Sequence, residues 1–400
     1  MSRRKLLPPS SSTMTRNNRF RPGPLGLYVH IPFCIRRCLY CAFYSQELRP
    51  EPEEEAYVAR LLTDMKQAAD RYGKREADSL YIGGGTPSLL SASAIGALIE
   101  GAARYFSLSS SAEITMEANP GTLNRSKAAA FFRAGINRLS LGFQSFDDRK
   151  LRFLGRIHTG KDCERVFEEA REAGFENINC DLIFAVPGQT PAGWEVDLTR
   201  LIKLKPEHIS FYSLQLEEGT PLFSLFEKGV IREVPDEEDR TMYHRTLDML
   251  EASSYEVYEI SNAAKAGYAC RHNLKYWSMQ DYLGFGASAS SYIDGVRFTE
   301  AKDLYPDMPF GQADRYEEYH VNSSFDDASE FVFTGLRRRE GISFCEFRER
   351  FGADIYDFFP DAFSQLPALA AQGFLVLNGE GMKLSQAGID ISNRIMALFV

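Results

Sequence analysis

The run His30-Ile-Pro-Phe-Cys34-Ile-Arg-Arg-Cys38-Leu-Tyr-Cys41-Ala-Phe-Tyr-Ser45 sets three cysteines in a C-x3-C-x2-C spacing, just after the short apolar stretch Leu25 to Val29. Thiolate is the soft ligand that zinc and iron-sulfur clusters prefer. Three thiols alone cannot close a structural zinc site, which takes four protein ligands in a tetrahedron. His30, on the strand before the loop, is the nearby candidate for a fourth. A cubane cluster normally takes four thiolates, so a three-cysteine site leaves one iron open to a small molecule. A disulfide with a spare thiol would need an oxidising compartment, to which nothing else in the chain points.

Outward from this loop, residues 25 to about 260 alternate short apolar, β-rich runs with longer amphipathic stretches, the pattern of strand-helix units around a parallel sheet. Strands are expected at Leu27 to Ile31, Ser79 to Ile82, Glu113 to Glu117, Arg138 to Gly142, Asn177 to Phe184 and His208 to Leu214. Glu53 to Tyr72 reads as a helix, with Tyr57, Val58, Leu61, Leu62 and Met65 at helical spacing. Further helices start near Ser91, Asn124, Lys161 and Pro191. Six such units predict an α/β barrel, complete or partial. Ligands of these folds sit at the carboxyl ends of the strands, which is where the cysteine loop falls.

Beyond about residue 260 the pattern changes. Residues 261–310 read as a connecting segment and 311–400 as a mainly helical domain. Its helices are expected at Ala328 to Arg339, Ser343 to Phe351 and Asp361 to Gln372. A hairpin through Phe374 to Leu384 and a last helix, Gln386 to Leu398, complete a winged-helix-like arrangement.

Of the 400 residues, 44% are hydrophobic and 25% charged, as in ordinary globular proteins, and no apolar run is long enough to cross a bilayer. A net charge of -9 argues against a nucleic-acid partner. Cys163, Cys180, Cys270 and Cys345 are scattered singly and form no disulfide framework, so a reducing compartment, the cytoplasm, is expected. Residues 1–23 are basic and hold Pro8-Pro9-Ser10-Ser11-Ser12, and they read as a disordered tail. An Arg-rich, Ser-rich, acid-poor start also fits an organellar transit peptide, though it lacks an apolar face. Met14 stands close enough to the first strand to serve as an alternative start.

The cysteine spacing, with aromatic Tyr40 just before the last cysteine, resembles the signature of radical S-adenosylmethionine (SAM) enzymes. The resemblance implies a [4Fe-4S] cluster held by Cys34, Cys38 and Cys41, whose open iron chelates the amino and carboxylate groups of SAM and which releases a 5'-deoxyadenosyl radical. It also implies a partial (β/α)6 barrel. Gly83-Gly84-Gly85-Thr86-Pro87 follows a strand; its glycines can adopt positive φ and admit a close neighbour. By itself it reads first as a tight strand-to-helix turn, but by resemblance Gly84, Gly85 and Thr86 hold the SAM amino group. Glu117, Gln144 and Asp181 lie at or near strand ends, where polar residues of a barrel meet ligand, and Arg156 can pair with a carboxylate in fork geometry.

Tyr28-Val-His-Ile-Pro-Phe-Cys34, Tyr81-Ile-Gly-Gly-Gly-Thr-Pro-Ser88, Arg138-Leu-Ser-Leu-Gly-Phe-Gln-Ser-Phe146, Asp181-Leu-Ile-Phe-Ala-Val-Pro-Gly-Gln-Thr190 and the Gly-Thr-Pro at Gly219 resemble, in order, the oxygen-independent coproporphyrinogen oxidase group and the HemW-type heme chaperones. That resemblance implies SAM-site roles for Tyr28, Tyr40, Gly84, Gly85, Thr86, Glu117, Gln144, Arg156 and Asp181. Two features separate the branches. The oxidases carry a further cysteine two residues after the third, where this chain has Phe43; the HemW type carries His-Asn-x-x-Tyr-Trp, which here is His272-Asn-Leu-Lys-Tyr-Trp277. Both point to the chaperone, with His272 the implied heme ligand and Cys270 an alternative. The implied partners are heme and acceptor hemoproteins such as respiratory enzymes, with peripheral membrane association through those partners. The competing class is an enzyme acting on a tetrapyrrole. Three departures stand out: Leu39 and Ala42 replace a common proline and aspartate, and Ser290 replaces a histidine in the stretch that starts at Asp281.

Overall fold

The computed structural model describes residues 23–47, 51–302 and 308–400. All but the last residue of the expected basic tail lies outside them. Six parallel strands follow one another with a helix after each: β1 Leu25–Ile31, β2 Ala77–Gly84, β3 Leu108–Ala118, β4 Arg138–Gln144, β5 Ile178–Phe184 and β6 His208–Ser213. The helices are α1 Glu51–Tyr72, α2 Ala92–Tyr105, α3 Arg125–Ala134, α4 Gly160–Glu172, α5 Pro191–Leu204 and α6 Asp236–Ala252. The expected starts at Ser91 and Asn124 are caps, and those at Lys161 and Pro191 follow caps at Thr159 and Thr190. Ser91, Asn124, Thr159 and Thr190 each accept the backbone N–H three residues on, and Pro191 occupies a first-turn position with no N–H to satisfy.

Strand alternation decides where the core and the site lie. In β1, Leu25, Leu27, Val29 and Ile31 are fully buried and join the hydrophobic core that the helices cover. Between them Gly26, Tyr28 and His30 face the other way, beside Ser79, Tyr81 and Gly83 of β2 in register. The same two-residue period puts Glu113, Thr115 and Glu117 of β3, Ser140 and Gly142 of β4, and Asn179 and Asp181 of β5 on that inner face. The barrel is thus apolar outside, against its helices, and polar inside.

The sheet does not stop at residue 260. After β7 Glu256–Glu259 and β8 Asn262–Ala264 comes α7 Arg271–Trp277, followed by β9 Tyr282–Phe285, β10 Ser290–Ile293, β11 Val296–Glu300 and β12 Tyr316–Val321. The strand order is β12-β11-β10-β9-β1-β2-β3-β4-β5-β6-β8-β7, an open sheet in which β9 lies parallel to β1. The segment expected to be connecting therefore builds one edge of the barrel sheet. Gly284-Phe285-Gly286, too glycine-rich to read as a strand, makes that contact; a Cβ at Gly284 would sit 2.3 Å from the Ser290 carbonyl oxygen.

The C-terminal part is largely helical, with α8 Ser324–Gly335, α9 Phe344–Phe351 and α10 Pro360–Ala371 around a small sheet of β13 Ile342–Ser343, β14 Leu375–Leu377 and β15 Gly381–Leu384. Helix α8 starts four residues before the expected Ala328 because Ser323 and Asp326 form a capping box. The expected last helix is two short ones, Gln386–Asp390 and Ser392–Met396, broken at Ile391, whose φ of -116° is not helical.

Candidate functional site

The cysteine loop leaves the carboxyl end of β1 and is tied down by its backbone. Phe33-Cys34 pairs in parallel with Gln46-Glu47, and Arg37 Nε donates to the Cys41 carbonyl at 3.1 Å. Leu39 N donates to Leu154 O at 3.0 Å, and Leu222 N to Leu39 O at 2.9 Å. The first of these needs an N–H that a proline at 39 would lack. The second links the loop to the Gly-Thr-Pro segment.

Cys34, Cys38 and Cys41 are half-buried free thiols on one cavity of about 530 Å³. Tyr40, Gly84, Gly85, Thr86, Glu117, Gln144, Arg156 and Asp181 border the same cavity. Burial pushes the Cys34 and Cys41 thiols up. At Cys34 the Thr86 hydroxyl works the other way, Oγ1 donating to Sγ at 3.7 Å; Arg156 Nη1 donates to Cys38 Sγ at 3.5 Å. Among the described residues no three His, Cys, Asp or Glu side chains converge on a point for a single metal ion. A cubane spreads its thiolates over separate irons, so the fit to a cluster rests on three soft donors, with a cation and a hydroxyl among them, around one cavity. His30 is not a fourth ligand. Its Nδ1 meets the Tyr28 hydroxyl at 3.0 Å and its Nε2 the Tyr44 carbonyl at 3.0 Å.

The glycine run serves close packing first. Gly84 has φ +108°, and a Cβ there would meet the His30 ring at 2.5 Å; one on Gly85 would meet the Phe33 carbonyl oxygen at 2.7 Å. The neighbour these glycines admit is therefore the cysteine loop itself. Gly84 N still donates to Glu117 Oε2 at 3.1 Å, and Tyr81 OH to Oε1 at 2.8 Å. Burial nevertheless lifts the Glu117 carboxyl to about 7. Asp181 is likewise raised by burial, against hydrogen bonds from Asn179 and Ser210. Gln144 reaches the cavity from a left-handed backbone, φ +65°, a conformation a non-glycine residue adopts at a cost. The Arg156 guanidinium donates, besides Cys38, to Asn119 Oδ1 and, at 2.6 Å, to Gly142 O.

Two expected site residues are not brought to the cavity. Tyr28 stands deeper in the barrel, its ring 6.3 Å from that of Tyr81. His272 lies beside Gly26 and Ser79, toward the strand starts and away from the cysteines, and it is 1% exposed. Its Nδ1 meets Ser79 Oγ at 2.9 Å and its Nε2 Tyr276 OH at 2.8 Å, while the ring stacks on Tyr81 at 5.3 Å. Burial and the Lys275 charge lower it to about 3. Both ring nitrogens of the implied heme ligand are thus engaged in the core, and it does not border the cysteine cavity. Cys270 is fully buried too, its Sγ donating to Glu113 at 3.5 Å. Ser290, at the position of the missing histidine, is exposed and bonds Thr299 at 3.0 Å.

Sequence reasoning missed Asn119, which donates to Thr86 Oγ1 at 3.1 Å and accepts from Arg156, and Tyr212 and His158, which also border the cavity. Asn119 directly follows β3 and Tyr212 lies near the end of β6, so the strand-end rule that singled out Glu117 applies to both.

Three thiols at the carboxyl ends of parallel strands, over a polar cavity, define a radical SAM protein. The family model described as the radical SAM superfamily matches residues 28–201, and that of the HemN C-terminal domain matches residues 323–391. Such proteins hold a [4Fe-4S] cluster and SAM. The chain is 36% identical to the heme chaperone HemW of Bacillus subtilis, over 93% of this chain and 98% of that one. It is 35% identical to HemW of Escherichia coli, over 94% and 98%. It is also 33% identical to the mitochondrial radical S-adenosyl methionine domain-containing protein 1 of Bos taurus, over 93% and 86%. The structure resembles the coproporphyrinogen III oxidase HemN of Escherichia coli with a TM-score of 0.81, at 23% identity, covering 95% of this chain and 91% of that one. The chain belongs to the HemW family of radical SAM proteins.

Proposed function

We propose that this protein is a heme chaperone that carries a SAM-liganded [4Fe-4S] cluster, binds heme and delivers it to acceptor hemoproteins such as respiratory enzymes. The observation that carries this reading is the identity to heme chaperones over nearly the whole of both chains. The cavity supports it: Phe43, not a further cysteine, stands two residues past Cys41 and borders the opening.

In this reading Cys34, Cys38 and Cys41 hold the cluster, which when bound supplies an open iron to SAM. Gly84, Gly85 and Thr86 meet the SAM amino end, Glu117 lies beside them to take its charge, and Tyr40, Gln144, Arg156 and Asp181 bound the rest. Tyr28 acts from one layer behind, through His30 and the Tyr81 ring. Among the described residues no helix is long and apolar enough to cross a membrane. A cytoplasmic protein that meets the membrane through its acceptors agrees with this.

The test is anaerobic reconstitution with iron and sulfide. One portion is then titrated with hemin, and another is given coproporphyrinogen III, SAM and a reductant. Stoichiometric heme binding, followed by transfer to an apo-hemoprotein and with no porphyrin product, is the expected result. Decarboxylated product would make the protein an oxidase instead.

A further inference from the structure

The rim of the cluster cavity differs from its polar interior. Ile35, Phe43 and Ile157 border the cavity and are 50%, 68% and 50% exposed. Exposed apolar side chains gathered at one opening mark an interaction site, whereas single ones need no explanation. Arg36 and Arg37, both exposed, lie on the same rim. Glu217 is also there, on the segment after β6.

A cavity of about 530 Å³ is of the size that encloses one small ligand. Glu117, Gln144 and Asp181 make its interior suited to a zwitterion, so a second and apolar ligand meets only the rim. An apolar face flanked by two guanidinium groups is complementary to a flat hydrophobic ring that ends in two carboxylates. The rim thus offers exposed contacts for the ring and the propionates, though none of these five side chains is an iron ligand, whereas His272 and Cys270 are sealed in the core.

We propose that heme docks on this rim, its macrocycle against Ile35, Phe43 and Ile157 and its propionates toward Arg36 and Arg37, next to the cluster and not at the His272–Trp277 motif. The proposal rests on the heme-carrying function proposed above. An open rim suits a carrier, because an acceptor can take the ligand without the fold opening. Glu217 repels the propionates and so sets which edge of the ring faces Arg36 and Arg37.

The experiment titrates the cluster-loaded full chain with hemin and with hemin dimethyl ester, whose propionates carry no charge, and follows the Soret band. The variants are Arg36→Glu, Phe43→Asp and His272→Gln, with cluster absorbance as the check on each fold. Arg36→Glu should weaken hemin about tenfold and leave the ester unchanged, since the change acts through charge alone. Phe43→Asp should weaken both ligands, and His272→Gln neither. Unchanged hemin affinity in both rim variants, or its loss in His272→Gln with the cluster intact, would overturn this location while heme binding stands. No hemin binding by the unaltered protein would overturn the chaperone reading and this proposal with it.

Discussion

Glu117 sits where two demands oppose each other. Tyr81 OH and Gly84 N hold its two oxygens as they would hold a carboxylate, yet burial lifts its pKa from 4.5 to about 7. Between those values the folded chain keeps a proton that the unfolded chain has released. This contribution to stability is therefore complete below the unfolded value and is lost as pH rises through about 7. Asp181, also raised, adds a loss of the same sign as pH climbs through its folded value. Urea midpoints of the cluster-free protein should accordingly fall from about pH 5 to pH 8, and Glu117→Gln should flatten the fall. An unchanged slope in the variant would mean that Glu117 is not the group responsible. Gly84 gives a second test at this scale. With φ +108° and the His30 ring 2.5 Å from any added Cβ, Gly84→Ala should cost about 2 kcal/mol or more by denaturation and lower iron uptake on reconstitution, because the strain falls on the base of the cysteine loop.

At the scale of elements, α7 shows what the sequence reveals and what it withholds. Cys34, Cys38 and Cys41, the six parallel strands and the approximate helix starts were legible because each depends on local spacing: a ligand interval, a two-residue alternation, or a helical period. The role of His272-Asn-Leu-Lys-Tyr-Trp277 was not. The first turn of α7 meets Glu113 of β3, which accepts from Arg271 N and His272 N, both at 3.2 Å. The partners lie more than 150 residues apart in the chain, and no local period encodes such a contact. The histidine is buried between Ser79 and Tyr276, with a hydrogen-bond partner at each ring nitrogen, a placement that the resemblance to a heme-binding motif did not convey. The strand β9 was hidden for a similar reason: glycines that depress strand propensity are what allow its close packing. Glu113→Ala removes the acceptor for the α7 amides and should cost about 1–3 kcal/mol, read as a lower denaturation midpoint. Retention of full stability would show that α7 does not rely on this anchor.

Across the whole molecule, α1 braces the late strands against the cysteine loop. Near its start Tyr57 OH donates to the His30 carbonyl at 2.8 Å and accepts from Ala287 N at 3.2 Å, joining the end of β1 to the segment after β9. Two turns further on, Asp64 is fully buried and meets Arg315 Nη2 at 2.6 Å, while Arg315 Nε meets Glu300 of β11 at 2.7 Å. Arg60, partly exposed, adds a second bond to Asp64 at 3.1 Å. A buried cation between two carboxylates gains little over apolar packing, but removal of the cation alone strands Glu300 and leaves Asp64 with Arg60 only. Arg315→Met should thus destabilise the protein by about 3–5 kcal/mol, whereas adding Asp64→Leu and Glu300→Leu should recover most of the loss. Because β9 pairs with β1, loosening this joint should also reach the site: the single variant should retain less iron after reconstitution and the triple variant should regain it. Calorimetry and iron content of both variants decide the matter. If the single variant melts like the unaltered chain, the Arg315 joint is not what holds the added strands to the barrel.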